Sequence, residues 1–197
     1  MNDAIAAVVA ALKQLGLRWF VAGSVASSIH GLARFTNDVD LLVDLDERAV
    51  DVLAELVGKS FYMDASEAKR AIRLGRAFNL IHLASAGKID IFPLGQDEFS
   101  RSELARSVEA DWAVPGAVPG EAATRLVVAS PEDTVLSKLR WYKLGGQTSD
   151  RQWGDILGVA TRIELEWQYI RDWAPRLGVA ELVDRLAAEV SAARPGT

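Results

Sequence analysis

The chain has 197 residues, half of them hydrophobic and a quarter charged, with a formal net charge of -5. This is ordinary globular composition for one domain or two small lobes, and it lacks the basic excess of a general nucleic-acid-binding domain. There is no cysteine, which excludes disulfides and thiolate metal sites and fits a reducing compartment. No basic leader is visible, and no apolar run reaches the ~18 residues of a membrane span. The expectation is a cytoplasmic protein with no membrane partner.

In chain order, residues 3–15 are rich in Ala and Leu, open on Asn2 and Asp3 as a cap, and stop at Gly16, which predicts a helix. Residues 18–22 read as a short buried strand and residues 24–32 as a short helix. A second strand follows over residues 39–43, then a helix capped by Asp46 and closed by Gly58. Residues 78–83 and 89–92 predict a hairpin with a Gly-containing loop over residues 84–88. Two Pro-Gly turns within residues 112–120 suggest the connection between lobes. A last strand is expected over residues 125–129. Ser130, Pro131, Glu132 and Asp133 then form a strong helix start, with Val135, Leu136, Leu139 and Tyr142 as its apolar face and Gly145-Gly146 as its stop. Three more helices are expected near 149–161, 164–175 and 179–193, and the residues from Ser191 onward are expected to fray. The fold class is therefore α/β (α+β), with a mixed-sheet lobe flanked by helices over residues 1–120 and a helical lobe over residues 121–197.

Asp38 and Asp40 are the most informative residues. They stand two apart in an apolar stretch, so on a strand both carboxylates share one face, with Cα atoms roughly 7 Å apart. At an effective dielectric of 20 the two anions repel by about 2 kcal/mol. A cation between them would relieve that, and Mg²⁺ takes oxygen ligands and keeps substrate phosphates in its shell. Asp90 lies between Ile89 and Ile91, facing away from a face that the isoleucines direct into the core. If its strand neighbours that of Asp38 and Asp40, three carboxylates converge, which with phosphate oxygens suits a two-metal site. Upstream, Gly23-Ser24 ends a strand and opens a helix. Backbone N–H groups there can meet a phosphate, and Ser24 adds a hydroxyl. Arg34 and Thr36 precede the acids and could hold phosphate or sugar oxygens.

Gly23-Ser24, then Arg34-x-Thr36-x-Asp38-x-Asp40, then Asp90 on a later strand, resembles the nucleotidyltransferase superfamily (the DNA polymerase β-like fold). It is closest to small bacterial nucleotidyltransferases of the abortive-infection toxin type. Ser130 to Arg140, with Lys138, and Asp150 to Ile156, with Asp155, are similar to that family's later motifs, so the resemblance covers roughly residues 18–160. It implies a nucleotidyltransferase-like mixed sheet, an NTP such as ATP held in a cleft between the lobes, and transfer of its nucleoside monophosphate to a hydroxyl with release of pyrophosphate. It implies Asp38, Asp40 and Asp90 as ligands of Mg²⁺, or of Mn²⁺, with Asp90 also promoting deprotonation of the acceptor. Gly23, Ser24, Arg34, Thr36, Lys138 and Asp155 would contact the nucleotide, with Lys138 on phosphate. The acceptor could be a tRNA, a protein or a small molecule such as an antibiotic. A cognate antitoxin would be a partner of the toxin type. A different class is a non-catalytic antitoxin or regulatory module that keeps the fold and binds nucleotide or protein without turnover.

Plainer readings stand beside these. Asp38 and Asp40 could be solvated acids on an edge strand. Lys138 could snorkel from an apolar helix stripe. Asp155 could pair with Arg151 on its own helix, and Arg34 with a nearby acid. His30 reads as structural, and two histidines so far apart in sequence do not suggest a zinc site. Trp141, Trp153, Trp167 and Trp173 read as helix-packing core before base stacking. Lys138, Arg140 and Lys143 read as a solvated helix face before a phosphodiester track.

Overall fold

The computed structural model describes residues 2–113 and 123–193. The Pro-Gly turns after Ala113 lie outside this range; of the segment expected to fray, residues 191–193 close the last helix instead, and the residues from Arg194 onward lie outside the described range. The strands are β1 (Trp19–Val21), β2 (Asp38–Val43), β3 (Phe61–Tyr62), β4 (Phe78–His82), β5 (Lys88–Pro93), β6 (Val108–Trp112) and β7 (Thr124–Val128). The helices are α1 (Asn2–Gln14), α2 (Gly23–His30), α3 (Glu47–Val57), α4 (Ala65–Arg73), α5 (Glu98–Arg106), α6 (Pro131–Leu144), α7 (Asp150–Arg162), α8 (Trp167–Trp173) and α9 (Ala180–Ala193). The fold class is the mixed α/β expected: a seven-stranded mixed sheet followed by helices. Among the described residues no helix is long and apolar enough to cross a membrane.

The described residues form two compact units that do not follow a single cut in the chain. One comprises Met1–Ala22 with Phe35–Val128; the other comprises Gly23–Arg34 with Ala129–Thr197.

The first unit carries the sheet, in the order β3-β4-β5-β2-β1-β7-β6. β2 runs parallel to β5 and β1 runs parallel to β7, while the remaining pairs are antiparallel. Alternation decides the faces. Val39, Leu41 and Val43 on β2, Ile89 and Ile91 on β5, and Leu80 on β4 are fully buried. The residues between them point the other way. α1 packs Ile5, Val8 and Leu12 into the same core and lies against α3, whose start is set by Asp46 accepting from the N–H groups of Arg48 and Ala49. α1 begins at Asn2 itself, so Asn2 and Asp3 are first-turn residues rather than a cap preceding the helix.

Four elements of this unit were not expected: β3, α4, α5 and β6. Their side chains explain why. α4 buries only Ala68, and its signal lies in the Asp64 cap, which accepts from the Glu67 N–H. α5 is likewise capped by Asp97 onto the Ser100 N–H, with little apolar periodicity. β6 occupies the sheet edge, where Glu109 and Asp111 face solvent and pair with Arg125 of β7 at 2.9 and 3.4 Å. β3 and β6 lie at the two edges of the sheet, where a strand needs few apolar residues and hydrophobic patterning is weak.

The second unit is helical. α2 packs on α6 and α7, α6 also meets α8, and α9 meets α7 and α8. The start of α6 is as expected: Ser130 accepts from the Asp133 N–H, Pro131 is the first helical residue, and Val135, Leu136, Leu139 and Tyr142 are buried. Asp133 is fully buried and accepts from the Ser130 hydroxyl at 2.7 Å and the Tyr169 hydroxyl at 2.6 Å. α2 comes close to α7 at Gly31, where an added Cβ would lie 2.8 Å from the Val159 nitrogen and 2.9 Å from the Gly158 carbonyl carbon.

Candidate active site

Two clusters of polar residues stand out, one in each unit. The first is built on β2 and β5. The parallel register sets Asp40 opposite Asp90 and Asp38 opposite Lys88. Residues side by side on adjacent strands, and residues two apart on one strand, share a face. Asp38, Asp40, Lys88 and Asp90 therefore occupy one patch, opposite the face that buries Val39, Leu41, Ile89 and Ile91. Asn79 of β4 stands opposite Asp90 in the antiparallel register and belongs to the same patch. Asp38 is exposed, while Asp40 and Asp90 are half-buried. The ladder holds the backbone of this patch in place. The Ala22 N–H donates to the Asp40 carbonyl at 2.9 Å, one residue beyond β1.

Thr36 is buried, and its hydroxyl is spent on the backbone of the strand it precedes. It donates to the Asp38 carbonyl at 3.1 Å, and the Asp38 N–H lies 3.4 Å from it. Its role in this arrangement is to shape the entry into β2.

Lys88 was not among the residues singled out in the sequence. The apolar pattern starts β5 at Ile89 and leaves Lys88 in the hairpin loop, whereas the strand begins at Lys88 itself. Two residues before Asp90, its side chain then falls on the carboxylate face. Its ammonium donates to Asp90 Oδ2 at 2.8 Å. That bond holds the Lys88 ammonium above its ordinary pKa; burial opposes it, and the fields of Asp90, Asp38 and Asp40 add to it. The signal available was the i−2 spacing alone.

The donor chemistry of this patch suits a hard divalent cation, since three carboxylates offer only oxygen. With the side chains as placed, no three His, Cys, Asp or Glu residues among those described close around a common ion. Asp90 turns an oxygen to Lys88 instead.

The second cluster is built on α2, the residues after it, α6 and α7. Gly23 starts α2 with φ 59°, a conformation that costs a glycine nothing and any larger residue strain. Arg34 grips the Asp155 carboxylate with two parallel bonds, Nε to Oδ1 and Nη2 to Oδ2, each 2.8 Å. The same Nη2 donates to Ser24 Oγ at 2.7 Å. Lys138 donates to Asp155 Oδ2 at 2.9 Å. Asp155 thus pairs with Arg34 and Lys138 rather than with Arg151, and its side chain is 9% exposed. Burial alone would raise its pKa. The hydrogen bonds from Arg34 and Lys138, and their charges, override that and hold the carboxyl below its ordinary range. Two cations and a hydroxyl are thus gathered at the start of a helix.

Other sequence expectations resolve plainly. His30 is buried and its Nε2 bonds the Ala129 carbonyl at 2.8 Å; burial pushes its pKa down, against that bond and the field of Glu132. It serves as a structural group. Of the helical tryptophans, Trp153 is buried against Tyr142 and beneath Arg185, while Trp141 is 60% exposed.

No protein-family model matches the chain, and no curated protein matches it. Among solved structures, the chain is similar to the antibiotic-resistance factor ANT(2'')-Ia, with 16% identity, 95% of this chain and 89% of that chain covered, and a TM-score of 0.42. It is similar to the lincosamide antibiotic adenylyltransferase LnuA in its lincomycin-bound form, with 13% identity, 83% and 98% covered, and a TM-score of 0.48. It is also similar to an antigenic nucleotidyltransferase-like protein from Paracoccidioides brasiliensis, with 17% identity, 97% and 88% covered, and a TM-score of 0.46. At these identities and scores the likeness assigns no activity to this chain; its own residues must do so.

Proposed function

We propose that this chain is a divalent-cation-dependent nucleotidyltransferase, moving a nucleoside monophosphate from an NTP to a hydroxyl acceptor and releasing pyrophosphate. The observation that carries this reading is the parallel register in which Asp40 stands opposite Asp90, with Asp38 on the same face. Three carboxylates on one face of adjacent strands concentrate negative charge that the single Lys88–Asp90 pair offsets only in part. They suit a magnesium–triphosphate complex.

In this reading Asp38, Asp40 and Asp90 hold Mg²⁺, and Mn²⁺ can replace it. When bound, the cation supplies charge neutralisation at the phosphate oxygens and eases ionisation of the acceptor hydroxyl. Asp90 accepts the hydroxyl proton. The acceptor oxygen forms a bond to the α-phosphorus, the bond from that phosphorus to the bridging oxygen breaks, and pyrophosphate leaves with the electron pair. The Gly23 and Ser24 backbone, the Ser24 hydroxyl, Arg34 and Lys138 hold the triphosphate. Asp155 sets the direction of Arg34 and Lys138, and Thr36 sets the backbone of Asp38.

The decisive experiment incubates the protein with each α-labelled NTP and Mg²⁺, with total RNA, cell extract or a panel of hydroxylated antibiotics as acceptor. Label should pass to one acceptor class, and Asp40→Asn should lower the rate about a thousandfold, the several kcal/mol that charge stabilisation supplies. No transfer to any acceptor, or transfer that survives Asp40→Asn, would overturn the reading. A toxin-type enzyme acting on tRNA or protein is the biological role we favour, from the resemblance of the Gly23-Ser24 and Asp38-x-Asp40 motifs. Growth arrest on induced expression, relieved by Asp38→Ala, is its signature, and modification of an antibiotic without arrest replaces it with a resistance role. The Lys88–Asp90 pair favours one further reading, a regulatory or antitoxin module that binds nucleotide without turnover. NTP binding without label transfer would establish that module in place of the enzyme.

A further inference from the structure

The carboxylate patch already contains a cation. Asp38, Asp40 and Asp90 share their face with Lys88, which stands opposite Asp38 on the neighbouring strand and two residues before Asp90. Its ammonium is bound to Asp90 Oδ2 at 2.8 Å. Asp90 keeps only 17% of its side-chain surface exposed, and Lys88 keeps 39%, so the acid is the more enclosed partner and the lysine can swing outward. The geometry leaves Asp90 committed to Lys88, and no three acids close around one point while it is so committed. Every other described strand residue on this patch that is named above is acidic or neutral: Asp38, Asp40 and Asn79.

We propose that Lys88 is a positioning residue, the resident counter-ion of the carboxylate patch. It holds Asp90 when no divalent cation is bound and gives it up when one arrives, so that its charge sets the cation concentration at which the site fills. The inference rests on the reading of Asp38, Asp40 and Asp90 as cation ligands. Its physical basis is a competition. A positive charge on the carboxylate face disfavours a second cation there, while the same charge relieves the carboxylates of mutual repulsion when no ion is bound. The exchange requires only rotation of two side chains on a ladder whose backbone does not change. A nucleotide bringing its own negative charge then tips the balance toward the divalent ion.

The test is a Mn²⁺ titration followed by electron paramagnetic resonance, on the whole chain without nucleotide, for wild type, Lys88→Met, Lys88→Gln, Lys88→Arg and Asp40→Asn. Lys88→Met and Lys88→Gln should bind Mn²⁺ about tenfold more tightly than wild type. Lys88→Arg, which keeps the charge, should stay within about twofold, and Asp40→Asn should lose most binding. In EDTA the two neutral variants should melt below wild type, and Mn²⁺ should restore them. Two neutral variants guard against misfolding of one, and circular dichroism in excess Mn²⁺ checks both. Wild-type binding that depends on Asp40 but is unchanged or weakened in both neutral variants would overturn the role of Lys88 and leave the metal site standing. Absence of Mn²⁺ binding in wild type and all variants, even with NTP added, would overturn the metal reading, and the inference with it.

Discussion

Asp155 shows how much one residue can organise. Its two oxygens take three hydrogen bonds from Arg34 and Lys138, and its side chain is almost wholly enclosed. Asp155→Asn would leave two cations facing a neutral amide that cannot accept on both sides. Breaking one partner of a buried pair costs about 3–5 kcal/mol, and partial exposure of Arg34 lowers that here to about 2–3 kcal/mol. Urea denaturation at neutral pH should read this loss. The pH dependence follows from the direction of the shift. The folded-state pKa lies below the ordinary carboxylate value of 3.8, so the stabilisation is fully present above that value. It is lost as pH falls through the folded pKa, when the folded protein protonates too. The gap between wild type and Asp155→Asn should therefore be constant from neutral pH down to the carboxylate range and shrink below it. A gap that closes between pH 7 and 5 would contradict the assignment. In the proposed reaction, where Asp155 aims Arg34 and Lys138, the same substitution should raise KM for NTP more than it lowers kcat.

Between elements, the join of α2 to α7 is a tight one at Gly31, just after α2. At Gly31 a methyl group would be driven into the backbone of Gly158 and Val159 and against the Ser27 carbonyl, with every approach under 3.0 Å. Backbone cannot step aside as a side chain can, so Gly31→Ala must shift one helix. Overpacking of this kind costs about 1–3 kcal/mol. The expected result is a lower urea midpoint with m unchanged. Because α2 carries Ser24 and α7 carries Asp155, the same shift should weaken the proposed NTP binding, measured by calorimetry. A Gly31→Ala protein of wild-type stability would show that the contact relaxes. The N-terminus of α6 offers the complementary lesson. Its cap was legible in Ser130-Pro131, but the bond from the Tyr169 hydroxyl to Asp133 was not, because it joins residues on two helices far apart in sequence.

For the molecule as a whole, the proposed chemistry makes stability depend on two ligands at once. A ligand that binds only the folded state adds about 2.7 kcal/mol at a hundred times its Kd. For a chain of this length that corresponds to roughly 5–10 °C in melting temperature. NTP with Mg²⁺ should raise the melting temperature by that amount, NTP in EDTA by much less, and Asp40→Asn should abolish the difference. An equal rise with and without Mg²⁺ would mean that the triphosphate is held without the carboxylates. The net charge of -5 sharpens this expectation, since an anionic ligand binds such a chain only where positive charge is gathered locally. In the proposed reading Arg34, Lys138 and Ser24 supply it.

What the amino-acid sequence determined by itself is local. Alternation of apolar and polar residues put Asp38 with Asp40 and turned Asp90 from the isoleucines. Capping chemistry marked Asp46 and Ser130, and a glycine marked the turn at Gly23. These signals lie within a few neighbouring residues, where sterics and hydrogen bonding act directly on the backbone. Strand order is of another kind. That β5 lies beside β2, with Asp90 opposite Asp40, follows from how the whole sheet buries its apolar face, and no segment encodes it alone. The same holds for Lys88, which joined the acid face only because pairing with β2 extended β5 by one residue. It holds most for Arg34 and Asp155, which are separated by 121 residues and meet where α2 packs on α7.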